Sequence, residues 1–210
     1  MTAEALAPVT AGLGIGVALA GAPGPVQAVL LAEAIRGGVG RGLRAWVGVH
    51  VTFGLLLACL GLGLSVATPS GAGLRILQLT GGVLLLWLAV DGLRSRHGPG
   101  PAESEAGRRV LPPAARGALA ILLNPGGWLF LAAVASPLLA TATRRAGVWS
   151  ALAVAAALVT GAAIGDVVVV ALGGVAVRRA GERVERWVRR VLALVLAGLG
   201  VWLVASAVTS

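Results

Sequence analysis

The feature that most constrains this chain is a backbone break inside its first long apolar run. Ala22-Pro23-Gly24-Pro25 interrupts Thr10–Ile35, where a helix crossing a membrane should be continuous. Pro25 has no N–H for the carbonyl of Gly21, and Pro23 has none for that of Leu19. A freed carbonyl facing hydrocarbon costs on the order of several kcal/mol, so such a break survives only against protein or beside a water-filled cavity. A second break, Asn124-Pro125-Gly126-Gly127, lies in another apolar run, and Pro125 frees the carbonyl of Ile121. Two interrupted spans at corresponding places in two halves point to a transporter binding site.

The membrane setting comes from composition. The chain is 58% hydrophobic and 12% charged, against about 25% charge in a soluble domain. Six runs are long enough to span: Thr10–Ile35, Trp46–Ala67, Leu74–Leu93, Ala118–Ala140, Val148–Leu172 and Val188–Val208. None alternates with the period of a barrel strand. The expected fold is therefore an all-α polytopic membrane protein with six transmembrane helices, the first and fourth broken at proline.

A net charge of +9 would suggest nucleic acid in a soluble protein. Here every basic residue is Arg, most lie between apolar runs, and the expected partner is the lipid bilayer rather than nucleic acid. Fourteen of the 17 Arg fall in the first, third and fifth loops, which places those loops in the cytoplasm and both termini outside. The expected location is a bacterial cytoplasmic membrane, the bacterial origin resting on all-Arg usage with abundant Ala and Gly. Residues 1–22 hold no Lys or Arg, so no signal peptide is expected there. Arg178–Arg190 reads as a short surface helix anchoring the topology, with Trp187 at the interface, and Trp46 and Trp149 likewise read as interfacial belt residues.

The polar, Gly- and Pro-rich stretch at 95–113 reads as a linker between two three-helix halves, 1–94 and 114–210. An odd number of spans per half gives the halves opposite orientation, hence a 3+3 inverted repeat. Gly161 and Gly165 form a small-xxx-small face, read first as helix packing and second as a homodimer contact.

Chemistry within the membrane narrows to few residues. Pro23, Gly24, Pro25, Asn124 and Pro125 form the breaks, and Gln27 follows the first. His50 lies in the second span and Asp166 is the acid placed well inside a span. The first seven are candidates for the translocation path, and Asp166 for proton coupling, with His50 as its partner. Glu33 and Asp91 are expected to pair with Arg36 and Arg94 at helical i,i+3 spacing. Cys59 is the single cysteine, and no nucleophile–base arrangement stands out, so neither an enzyme, a cofactor nor a metal site is expected.

These residues resemble the LysE/RhtB family of amino-acid exporters. The match runs through Pro23-Gly24-Pro25, Arg36-Gly37, Gly40-Arg41-Gly42-Leu43 and Gly48. It continues with Gly81, Leu85, Arg94, Arg116-Gly117, Leu123-Asn124-Pro125, Phe130 and Pro137. The resemblance covers nearly the whole chain and implies a small six-span exporter of amino acids or related metabolites, driven by a proton gradient or the membrane potential. Val26 stands where the family often has Asn or Asp, and Gly126 where it often has Lys. Both departures remove polar groups near the path, so the resemblance does not name the substrate. The competing readings are a metal or cation exporter on a related six-span fold, which would want clustered His, Asp, Glu or Cys, and a non-transporting membrane scaffold.

Overall fold

The computed structural model describes residues 3–22, 24–64, 71–94 and 111–209, and every regular element among them is helical. In chain order these are α1 (Ala3–Gly21), α2 (Pro25–Gly37), α3 (Val39–Gly61), α4 (Ala72–Arg94), α5 (Pro113–Leu122), α6 (Pro125–Phe130), α7 (Ser136–Arg179) and α8 (Glu182–Thr209). A π-helical turn, Leu131–Ala135, joins α6 to α7. It lies just before Pro137, whose ring would crowd the carbonyl of Ala133 in a regular helix; the wider turn relieves that clash.

Four stretches are long and apolar enough to cross a membrane: Val39–Gly61, Ala72–Asp91, Pro125–Val177 and Glu182–Val208. A fifth is the pair α1 and α2, bent by 63° at the first break. The backbone leaves helical geometry at Ala146 and Gly147, within Pro125–Val177, and Gly147 takes φ +78°, which glycine adopts without strain.

At both breaks the freed backbone is partly repaired by a tighter turn. Ala22 N–H donates to the carbonyl of Leu19 at 3.2 Å, and Asn124 N–H to that of Ile121 at 3.2 Å. These are the two carbonyls that Pro23 and Pro125 cannot reach. Asn124 also caps α6, its Oδ1 accepting from Gly126 N–H at 3.1 Å. Trp128 donates its indole N–H to the carbonyl of Leu122 at 2.8 Å, so this side chain satisfies the break itself. Pro23 lies outside the described residues, as does the linker as far as residue 110.

Glycine lets the helices approach closely where lipid gives little hydrophobic push between them. A Cβ on Gly16 would collide with the carbonyl of Leu158, and one on Gly161 with that of Leu13, so α1 lies against α7. Gly48 meets Ala114 and Gly117 meets Ala45 where α3 crosses α5, and Gly82 meets Gly200 where α4 crosses α8. The face of Gly161 and Gly165 is thus covered by α1, which favours its reading as a packing surface over a dimer contact. Leu55, Ile76, Trp149, Leu194 and Val208 are exposed outward, as a lipid-facing surface requires.

Two local expectations are corrected. Arg178–Arg190 is not a separate surface helix. Arg178 and Arg179 end α7, Gly181 turns the chain, and residues 182–190 are the first turns of α8. Trp46, which reads in the sequence as an interfacial residue, points inward and donates its indole N–H to the carbonyl of Ala163 at 3.0 Å.

Candidate functional site

Both breaks open onto one cavity of about 170 Å³. Gly24, Pro25 and Gln27 line it from the first break, and Asn124, Gly126 and Gly127 from the second. His50 reaches it from α3 and Asp166 from α7. The remaining walls are largely apolar, with Phe53 and Phe130 facing each other at 6.2 Å between ring centroids. Of the eight residues singled out in the sequence, six line this cavity. Pro125 lines a neighbouring cavity between α4, α6 and α8, and Pro23 lies outside the described residues. Pro25, Asn124 and Gly126 belong to both cavities and so stand at their common wall.

The polar centre is a loose triad. Asp166 is 3% exposed and His50 is 7% exposed. Gln27 Nε2 donates to Asp166 Oδ1 at 3.4 Å, and His50 Nε2 lies 3.5 Å from Asp166 Oδ2. His50 Nδ1 is 3.0 Å from the carbonyl of Trp46, so in the neutral ring the proton sits on Nδ1 and Nε2 carries the lone pair. A lone pair and a carboxylate oxygen facing each other are compatible once a proton lies on one of them. The Trp46 ring, 4.8 Å from the imidazole between centroids, braces it from one side.

A second polar group lies nearer the Arg-rich end of the bundle. Arg116 is 1% exposed; its Nη1 donates to Glu33 Oε1 at 3.1 Å and to Asp91 Oδ2 at 2.6 Å. Its Nε donates to the carbonyl of Leu111 at 3.0 Å, and its guanidinium lies 4.9 Å from the Trp87 ring centre. Arg41 donates to Glu33 at 2.6 Å, and Arg36 donates to Asp91 through both terminal guanidinium nitrogens, Nη1 and Nη2. The expected Glu33–Arg36 pair is thus a lesser contact, at 4.0 Å. Asp91 pairs with Arg36 and Arg116; the side chain of Arg94 lies outside the described residues.

Arg116 is the residue that the sequence reading left among the loop cations. The available signal was its place in α5, which begins at Pro113, three residues before it. Its carboxylate partners lie 83 and 25 positions away, beyond the reach of any local spacing rule.

A family model, LysE type translocator, matches residues 17–207. No curated protein and no solved structure matches the chain. The match covers nearly the whole sequence, and the chain belongs to the LysE-type translocators, a family of membrane exporters of small molecules.

Proposed function

We propose that this LysE-type translocator is a secondary exporter of an amino acid or a similar small metabolite across the cytoplasmic membrane. The observation that carries the reading is the meeting of both broken helices on one cavity where a carboxylate lies beside an imidazole. Freed backbone and the polar groups of Gln27 and Asn124 would take the substrate, and the apolar walls would select against large polar side chains. Asp166 and His50 would carry the coupling proton, since their facing oxygen and nitrogen can share one and release it as the cavity changes sides. The membrane potential supplies about 2.3 kcal/mol per charge per 100 mV, enough for one inward proton to move a neutral solute outward.

The architecture behind this reading is six spans in two inverted halves. The non-helical backbone at Ala146–Gly147 supports dividing Pro125–Val177 between the end of one span and the whole of the next, which would take the count from five to six. The packing supports a pseudo-two-fold: α1 lies along α7 as α5 lies along α3, while α4 pairs with α8. With the Arg-rich loops in the cytoplasm, both termini face outward. A reporter active only in the cytoplasm, fused after Ser210, is expected to be silent; strong activity would overturn both orientation and inverted repeat.

The function is tested by loading cells with a panel of labelled dipeptides and following amino-acid efflux, with and without an uncoupler. Faster efflux of some residues in the producing strain, abolished by the uncoupler, is the expected result. Equal efflux in producing and empty strains across the whole panel would return the reading to a cation exporter or a scaffold.

A further inference from the structure

The cavity between α4, α6 and α8 is larger than the central one, about 330 Å³ against 170 Å³. It lies away from the Arg-rich end of the bundle, beside the first two turns of α4 and the latter half of α8. Trp128 and Leu129 of α6 and Leu199, Trp202 and Leu203 of α8 form most of its wall. Leu129 and Trp202 also reach the outward surface. Gln78 of α4 interrupts this apolar wall; its Oε1 is buried and has no hydrogen-bond partner among the described residues. None of the residues lining this cavity is charged.

Size connects the two cavities. A space of about 150 Å³ takes one benzene molecule. By that measure the head of an amino acid, with its ammonium, carboxylate and α-carbon, leaves little of the central 170 Å³ for a bulky side chain. The neighbouring cavity has room for a two-ring group, and Pro25, Asn124 and Gly126 stand between the two. Gly126 presents no side chain at that wall. A lipid acyl chain could fill the larger cavity from outside, but it brings no donor to Gln78. Water brings a donor, but a water needs about two to four polar partners to stay in such a place. Besides Gln78, the only polar side chain lining the cavity is Asn124, whose Oδ1 already accepts from Gly126 N–H. An aromatic ring with its own N–H or O–H meets both demands: the ring packs against Trp128 and Trp202, and the donor reaches Gln78.

We infer that this cavity receives the side chain of the exported amino acid, and that the substrate is an aromatic amino acid whose ring carries an N–H or O–H donor. Gln78 is the residue that selects for that donor. The charged head stays in the central cavity with Gln27 and the freed backbone. The inference rests on the amino-acid exporter reading and narrows it to indole and phenol side chains.

The test uses the full chain in cells, loaded in turn with glycyl dipeptides of labelled tryptophan, tyrosine, phenylalanine, alanine and lysine. Initial efflux is compared at equal, low internal concentration, with the empty strain subtracted. Tryptophan and tyrosine are expected to leave faster than phenylalanine, and all three faster than alanine. Gln78→Leu is expected to lower the tryptophan-to-phenylalanine ratio about three- to tenfold, the worth of one neutral hydrogen bond. Leu199→Trp, which fills the cavity, is expected to abolish the preference for aromatics over alanine. Leu194→Trp, on the outward face of α8, is expected to preserve it. Alanine or lysine leaving faster than the aromatics would overturn the inference and leave the exporter reading standing. So would an unchanged ratio in either Gln78→Leu or Leu199→Trp, which returns the cavity to lipid or water. Efflux of none of the five above the empty strain would strike the amino-acid reading as well. Should Leu199→Trp not reach the membrane, the wild-type ratios and Gln78→Leu decide.

Discussion

The two polar centres of this bundle are built in opposite ways. Around Arg116, Glu33 and Asp91 are each shared between two arginines: Arg41 and Arg116 donate at 2.6–3.1 Å, Arg36 also binds Asp91, and the group joins four helices. Around Asp166, a carboxylate as deeply buried has a glutamine at 3.4 Å and an imidazole at 3.5 Å, and no guanidinium beside it among the described residues. The first arrangement fixes helices, because each ion is held by several short bonds in a low-dielectric setting. In the second no guanidinium among the described residues holds the carboxylate, and on that ground we propose it as the proton-coupling group. The difference teaches that burial alone does not mark a working group: Glu33 and Asp166 are equally buried, and their neighbours decide what each can do.

The contrast breaks most readily at the tight centre. Arg116→Ala leaves Glu33 and Asp91 short of a partner, and removing one member of a buried ion pair costs about 3–5 kcal/mol. The variant is expected to lose folded protein in the membrane, seen as a lower unfolding temperature in detergent and poor recovery. Near wild-type stability would show that Arg116 is dispensable and the cluster no clamp.

At the loose centre the expected effect falls on transport instead. Asp166→Asn keeps size and one hydrogen-bond partner for Gln27 but cannot titrate. In proteoliposomes it should retain downhill exchange and lose uphill export together with its pH dependence, a loss bounded by the roughly 2.3 kcal/mol per charge available from 100 mV. Uphill export that continues unchanged would make Asp166 structural and bring the two centres into one class.

The smallest effect sharpens the comparison within the loose centre. Gln27→Leu removes one long hydrogen bond, worth about 0.5–1.5 kcal/mol, so apparent substrate affinity should fall roughly three- to tenfold with stability unchanged. A large drop in unfolding temperature would show that the Gln27–Asp166 contact is a structural bond like those around Arg116.

Much of the cavity lining was legible because proline and glycine act locally. Pro25 and Pro125 lack an N–H whatever surrounds them, so the ends of α1, α2, α5 and α6 could be placed from residues alone. Asp166 stood out because a lone acid in an apolar run is costly under any packing. Local spacing failed where partners are distant in the chain. The i,i+3 rule paired Glu33 with Arg36, whereas helix packing brought Arg41 and Arg116 closer. It also read Trp46 as interfacial, since nothing near it in sequence reveals the Ala163 carbonyl it meets.

By itself the sequence determined that this chain is helical, lies in a membrane and is broken twice, because hydrocarbon forbids unpaired backbone and proline removes a donor wherever it occurs. The tertiary structure alone decided that both breaks face one cavity, that His50 and Asp166 meet there, and that Arg116 is buried among carboxylates instead of lying in a loop. Those outcomes depend on which helix faces turn toward each other. That is fixed by glycine contacts such as Gly16 with Leu158 and Gly48 with Ala114, between residues far apart in the chain.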